Sequence, residues 1–384
     1  MNKRFIFGLM LLLSVPCFSQ VLERLDSMMR DPLTETTQVG VMVWDLTDDR
    51  SLFCCNHRQL LRPASTMKLL TAITALDQLG DGYQFSTALF YTGDISNGAL
   101  LGDLYCVGGM DPMFDYTDMD SLVSAVQQLG VKRIAGRVVA DVSIKEDLQL
   151  GEGWCWDDDN PTLTPLLVGR SPEFMPVFIS KLKRCGIDMS DAVVSEGRLP
   201  QEAMLIGLRG HSLFEVLRTM MKESDNLYAE SMFYNLAASS GHRPARAIDA
   251  ARQERAILDR CDLNSARYRI ADGSGLSLYN YLSAEAEVAI LRYAYRRVDL
   301  YDKLLPSLPI AGRDGTLNKR MKGTLAENNV QAKTGTVAGV SSLAGYLTAA
   351  NGHRLCFSIM NQVVLKTSDA RDFQDKICKI LCEP

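Results

Sequence analysis

The chain has 384 residues, 47% of them hydrophobic and 23% charged, with a formal net charge of -5 at pH 7. That length exceeds one ordinary core and implies two domains, or one domain carrying an insertion. The mild acidity gives no reason to expect nucleic acid or an anionic membrane as partner, and four scattered His give little support to a zinc site.

The N-terminus reads as a secretory leader. Asn2-Lys3-Arg4 is basic, Phe5 to Val15 is apolar and uncharged, and Cys17-Phe18-Ser19 puts small residues before a cut at Gln20. Residues 1–19 are therefore expected to be removed. The apolar run is short of the roughly 20 residues of a membrane-spanning anchor. Pro16, large and rigid, disfavours the rival route in which Cys17 carries lipid.

A helical stretch is expected near Leu22 to Met29. A hairpin follows, Val39 to Asp45 and Ser51 to Cys54, around the turn Thr47-Asp-Asp-Arg50. Arg62-Pro-Ala-Ser-Thr-Met-Lys68 then opens a helix that ends at Gly80, with Leu69, Ala72, Ile73, Leu76 and Leu79 at helical spacing. From Tyr83 to Leu208 the chain turns Gly- and Asp-rich, with short strand-like runs such as Arg137 to Asp141 and helical patterns at Ser121 to Leu129 and Glu173 to Cys185. This part reads as an inserted α/β module. Helical periodicity returns at Ser212 to Met221, breaks at Glu223-Ser-Asp-Asn226, and resumes through Ala238, near Ala245 to Leu258 and at Ala284 to Tyr295. The end reads as strands at Val330 to Lys333, Ser342 to Ala349 and Arg354 to Met360, the last two joined by Asn351-Gly352, and a final helix from about Asp369 to Leu381.

Nine cysteines follow the leader, an odd number without a CxxC, and Cys378 and Cys382 lie one turn apart on a predicted helix. Mostly buried, unpaired thiols are expected.

Three short motifs occur in order: Ser65-Thr-Met-Lys68, Ser224-Asp-Asn226 and Lys333-Thr-Gly335. The first two are cheap by chance and Lys-Thr-Gly is rarer, and Ser180-Lys-Leu-Lys183 also fits the first pattern. Setting separates them. Ser65 starts a helix and Lys68 lies one turn on, which puts hydroxyl and amine on one face within the positive field of the helix start. Ser180 lies inside a predicted helix. Ser224 and Asn226 interrupt a helical pattern on a tight loop. Lys333-Thr-Gly335 lies on a strand, and Gly335 would let a substrate backbone lie against its edge. A serine hydroxyl needs a base, and Lys68 can serve if burial and the second cation, Lys333, keep it neutral.

This trio, with the strings "RPASTMKLLTAITALDQLG", "GALLGDLYCVGGMDP", "IAGRVVADVS", "ESDNLYAE", "DGSGLS", "AGRDGTLNKRM" and "QAKTGTVAGVSSLAGY", resembles the type-4 penicillin-binding proteins, the D-alanyl-D-alanine carboxypeptidase/endopeptidase family, from about residue 35 to 360. The resemblance implies an α/β (α+β) fold: a β-lactamase/transpeptidase-like domain with an antiparallel sheet flanked by helices, built from residues 20–83 and 209–384, plus one inserted α/β domain at 84–208. It implies peptidoglycan stem peptides ending in D-Ala-D-Ala as substrate, β-lactams as covalent inhibitors, no nucleic acid, no cofactor or metal, and an exported, periplasmic or extracytoplasmic location. Ser65 is then the nucleophile and Lys68 the base. Backbone N–H groups of Ser65 and Thr336 would hold the oxyanion, Ser224 would relay a proton to the departing amine, and Asn226 would hold the peptide amide. Thr334, Gly335 and Thr336 would bind the substrate, the terminal carboxylate meeting the hydroxyls of Thr334 and Thr336 with Lys333 supplying positive charge. Asp272 to Ser277 reads either as a wall of the site or as a turn beneath it.

Several positions depart from the family pattern. Leu278 stands where an Arg is common, Met110 in a glycine-rich turn, and Val142 for a second Asp. The short stretch from Lys68 to Ser224 implies that a nested second domain is missing or vestigial. A serine β-lactamase would share the fold, but no Glu-x-x-x-Asn lies between Asn226 and Lys333. A non-catalytic penicillin-binding sensor could have lost Lys68 or Ser224, and both are intact.

Overall fold

A computed structural model describes residues 15–158 and 160–384. The expected leader, residues 1–19, lies outside them except for the backbone of its last positions, which open helix α1 (Val15–Met28). Then come the short α2 (Leu33–Thr36), the hairpin β1 (Gln38–Asp45) and β2 (Arg50–Cys55), and a tight turn at Ala64–Thr66 leading straight into α3 (Met67–Gln78). Gly80 closes α3 with φ +75°, which a residue without Cβ adopts freely.

The Gly- and Asp-rich stretch holds β3 (Gln84–Tyr91), β4 (Asp94–Ser96), β5 (Ala99–Leu101), β6 (Leu104–Gly108), α4 (Tyr116–Gln128), β7 (Arg133–Ile134), β8 (Arg137–Asp141), α5 (Phe174–Arg184), β9 (Val193–Glu196) and β10 (Met204–Ser212). Helix α4 starts earlier than its apolar spacing indicates because Asp115 and Asp118 cap it reciprocally. Strands β10-β3-β6-β8-β9 form one sheet and β4-β5-β7 a small second one. Leu89, Cys106, Leu122, Val138 and Phe178 belong to their own buried cluster. Ser212, the last residue of β10, also caps the next helix through Glu215.

Five helices follow: α6 (Leu213–Glu223), α7 (Asn226–Ser239), α8 (Ala247–Arg260), α9 (Ala284–Tyr295) and α10 (Val298–Ser307). The chain ends with β11 (Gln331–Val337), β12 (Val340–Thr348), β13 (Arg354–Gln362) and α11 (Thr367–Cys382). The hairpins from the two ends of the chain share one antiparallel sheet, β11-β12-β13-β1-β2, in which Ile359 pairs with Val41 on one side and Leu343 on the other. Side chains alternate across it. Val41, Val43, Leu343, Phe357 and Ile359 pack toward α1 and α11, while Met42, Ala344, Tyr346 and Met360 pack toward α3, α7 and α9. A sheet covered on both faces fixes α3 rigidly, with every residue from Met67 to Leu76 buried.

Among the described residues no helix is long and apolar enough to cross a membrane. All nine described cysteines are free, but only Cys106, Cys356, Cys378 and Cys382 are buried; Cys54 and Cys185 are exposed, so the expectation of mostly buried thiols is corrected. Met110 takes the left-handed conformation, φ +55°, where a glycine would be unstrained. Its buried side chain packs with Leu163 and Tyr234, contacts that a glycine could not make.

Candidate active site

Ser65 sits in the turn before α3, and Ala64 ahead of it is held at φ +49°, a costly conformation for a residue with a Cβ. Two glycines clamp this turn. A Cβ on Gly275 would lie 1.8 Å from the Ala64 carbonyl oxygen, and one on Gly335 would lie 2.6 Å from the Pro63 oxygen and 3.1 Å from the Ser65 nitrogen. The missing side chain of Gly335 thus brings β11 against the serine turn, which corrects the expectation that it makes room for substrate. Thr66 anchors the same turn: its hydroxyl donates to the Pro63 carbonyl at 2.7 Å and meets the buried carboxyl of Glu287.

Lys68 follows one turn later, wholly buried. Its Nζ lies 3.0 Å from Ser65 Oγ, 2.8 Å from Asn226 Oδ1 and 2.7 Å from the Ser274 carbonyl. Burial pushes its pKa down to about 8, against the opposing pull of Asp272, Glu230 and Asp225. A neutral amine has two N–H donors and one lone pair. The two fixed acceptors, Asn226 Oδ1 and Ser274 O, take both donors and leave the lone pair for the hydroxyl of Ser65.

The turn 272–277 presents that carbonyl. Asp272 accepts from the backbone N–H of Gly275 and Ser277, from Asn280 Nδ2 and from Trp154 Nε1, at 2.8, 2.6, 2.6 and 2.8 Å. Glu230 Oε1 accepts from Gly273 N at 3.1 Å and Ser274 N at 2.8 Å. The two sequence readings of this segment therefore merge: it is a buried turn, and its Ser274 carbonyl touches the site. Burial pushes the Glu230 carboxyl up to about 8 and that of Glu254 well above its ordinary value. Thr71 Oγ1 lies 2.8 Å from both Glu254 Oε1 and the Gly273 carbonyl. A hydroxyl has one proton, so Thr71 donates to the carbonyl and accepts from a protonated Glu254.

Ser224 ends α6 in the left-handed conformation, φ +61°, as the broken periodicity predicts. Asp225 caps α7 by accepting from Tyr228 N at 3.3 Å, and Asn226 is the first helical residue. Lys333 on the edge strand β11 is also fully buried and donates to Ser224 Oγ and to the Thr334 carbonyl, both at 2.8 Å. Burial, then the neighbouring charge of Lys68, holds it well below the ordinary lysine range. Thr334 Oγ1 donates to Thr316 Oγ1 at 2.7 Å, and Thr336 is exposed. Ser65, Ser224, Thr334 and Thr336 line one cleft of about 440 Å³. All the residues singled out from the sequence thus meet at one place, whereas Ser180 is exposed on α5.

Sequence reasoning missed Glu230, the Ser274 carbonyl, Thr316 and Arg371, whose Nη2 lies 3.5 Å from Thr336 Oγ1. Glu230 stands one helical turn after Asn226, a spacing that could have flagged it; Arg371 carries no local signal. Asp45, Asp48 and His353 lie close enough together to share an ion, but none of them lines the cleft.

A serine hydroxyl against a buried amine whose pKa is lowered to about 8, beside the edge strand of a sheet, is the apparatus of serine acyl transfer. The chain belongs to the D-Ala-D-Ala carboxypeptidase 3 (S13) family, whose sequence model matches residues 21–166 and 171–383. It is 27% identical over 410 residues to the D-alanyl-D-alanine carboxypeptidase DacB of Haemophilus influenzae, covering 85% of each chain. The crystal structure of penicillin binding protein 4 (dacB) from the same organism matches with a TM-score of 0.83 at 25% identity, over 92% of this chain and 97% of that one. The same protein complexed with a β-lactam matches with a TM-score of 0.77 at 26% identity, over the same shares. The mixed α/β, transpeptidase-like fold expected from the sequence is the fold observed, and the resemblance to the type-4 penicillin-binding proteins holds.

Proposed function

We propose that this chain is an exported serine D-alanyl-D-alanine carboxypeptidase/endopeptidase that acts on peptidoglycan stem peptides and is acylated by β-lactams at Ser65. The observation that carries this reading is the contact set of Lys68, which leaves its lone pair for the serine and nothing else. Neutral Lys68 takes the Ser65 proton as Oγ attacks the carbonyl of the penultimate D-alanine. The new Oγ–C bond forms, and the C–N bond to the leaving residue breaks. Ser224, held by Lys333, hands its proton to the departing amine and regains one from Lys68. Water then attacks the ester carbon, frees the shortened peptide and returns the proton to Ser65. Asn226 serves both Lys68 and the substrate amide, and the Ser65 and Thr336 N–H groups receive the oxyanion. Removing one such donor costs about 3–4 kcal/mol in comparable enzymes. Residues 20–83 and 209–384 form the catalytic domain in this reading, and 84–208 the insertion.

The test is mass spectrometry of purified peptidoglycan after digestion. Stem peptides one D-alanine shorter indicate carboxypeptidase action, and cross-linked dimers turned into monomers indicate endopeptidase action. Both products vanish with Ser65→Ala. An unchanged wall after treatment with folded protein overturns the reading.

A further inference from the structure

The substrate's reacting end brings a negative charge into the cleft: the carboxylate of the residue that leaves. Lys333 is poorly placed to meet it. Its ammonium nitrogen is fully buried and is engaged by Ser224 Oγ and the Thr334 carbonyl. Burial also holds its pKa well below the ordinary lysine range. A different cation faces the open side.

We infer that Arg371, in the first turns of α11, is a specificity-determining residue that receives the free carboxylate of the leaving D-amino acid together with the hydroxyl of Thr336. This rests on the function proposed above. Arg371 is exposed, and the only hydrogen bond found for its guanidinium among the described residues is to Thr336 Oγ1, at 3.5 Å. In that bond Thr336 accepts, so its own proton is free to donate to a ligand. No ion pair involves Arg371 among the described residues. The neighbouring Arg320, by contrast, is neutralised by Asp375 at 2.6 Å and held by Gln374 at 3.1 Å. Lys319 lines the same cleft and has no partner among the described residues, and no Asp or Glu lines that cleft. The open end of the cleft is therefore net cationic, and Ser65 and Ser224 lie on its wall. A guanidinium matches a carboxylate with two parallel N–H donors, a geometry that an amide cannot satisfy. Lys319 adds field without fixing direction. The same contact serves a terminal D-alanine and the carboxylate of a D-centre released from a cross-link.

The experiment compares diacetyl-L-lysyl-D-alanyl-D-alanine with its C-terminal amide as substrates of the full-length protein, of Arg371→Gln and of Arg371→Lys. The parent is expected to prefer the acid. Losing a charge-assisted contact should lower kcat/KM for the acid about 10- to 100-fold in Arg371→Gln, with the amide changed less than about threefold, and Arg371→Lys should recover part of the loss. Equal losses on acid and amide, or an unchanged acid rate in a variant that melts like the parent, would overturn the inference while the proposed function stands. If the parent cleaves neither peptide and forms no benzylpenicillin adduct, the function falls and the inference with it.

Discussion

The wall of the cleft behind Ser65, built by α3, α7 and the turn 272–277, houses its charges differently from the wall in front, built by β11 and the start of α11. Behind, Lys68, Glu230, Asp272 and Glu254 are all buried, and each lies within hydrogen-bonding distance of neighbours that fix it. In front, Thr336, Lys319 and Arg371 stand in water. Coulomb interactions are several times stronger in the first setting than in the second, where salt also screens them. The back wall can therefore set protonation states, and hence rate. The exposed side chains in front, Thr336, Lys319 and Arg371, can only select among ligands. Changes behind should be large and pH-dependent, and changes at those exposed side chains smaller and salt-sensitive.

The largest effect expected is at Ser65. Benzylpenicillin should add one covalent equivalent to a peptide containing Ser65, and Ser65→Ala should abolish the adduct. A tag on Ser180 would break the comparison at its root. Lys68→Ala should come next, with acylation reduced about 10²- to 10⁴-fold while the circular dichroism spectrum persists. Acylation within tenfold of the parent would mean that another group is the base. The pH profile tests the same wall without mutation. Only neutral Lys68 accepts a proton, and its pKa lies at about 8. Acylation should therefore rise with pH, about tenfold per unit below that value, and level off above it. A flat profile across neutrality would contradict the burial argument.

Much of this was legible in the sequence, and the reasons differ by element. The hairpins and α9 follow local period and turn chemistry, as does the break at Ser224, so single-sequence reasoning reaches them. Helix α10 escapes because its buried apolar residues are few, Leu300 and Leu304 with Pro306 in the last turn, too sparse to mark a period. The start of α4 is set by side-chain caps and not by its apolar stripe. At the site, residues that share a motif were found, and those that meet only in three dimensions were not. Glu230 acts through the backbone of Ser274, a contact 44 positions away, and Arg371 reaches Thr336 from another element. Gly335 was singled out for the wrong neighbour, since strand edges look alike in sequence whether a substrate or a helix start lies against them.

Gly335 gives the next effect in size. In Gly335→Ala the new methyl would meet the Pro63 carbonyl at 2.6 Å, a backbone atom that cannot swing away. Strand β11 must then withdraw from the serine turn and carry Lys333 and Thr336 with it. A misplacement on the order of 1 Å costs about 10²-fold in rate, so acylation should fall by that order while the melting temperature changes little. A variant acylated at the parent's rate would show that the turn, and not the strand, positions Ser65.

The smallest effect expected concerns residues 84–208, proposed above as an insertion. Arg170, which lies in the gap between the two segments matched by the family, pairs with Asp225 at 2.7 Å and stacks 5.6 Å above the ring of Tyr228. Asp225 stands between Ser224 and Asn226, so this pair is a charged link from the proposed insertion to the Ser224–Asn226 loop. Its arginine side chain is 53% exposed. Exposed pairs contribute about 0–1 kcal/mol. Asp225 also keeps its cap to Tyr228 N whether or not the arginine is present, and Ser224 stays bound by Lys333. The loop is thus held by α7 and by Lys333 of β11, and Arg170 only leans on it. Arg170→Ala should change acylation by less than about threefold, and added salt should mimic the mutation in the parent, as screening requires. A loss beyond tenfold would place the insertion among the parts that position the chemistry, and the division between a rate-setting back wall and a selecting front would have to be redrawn to include it.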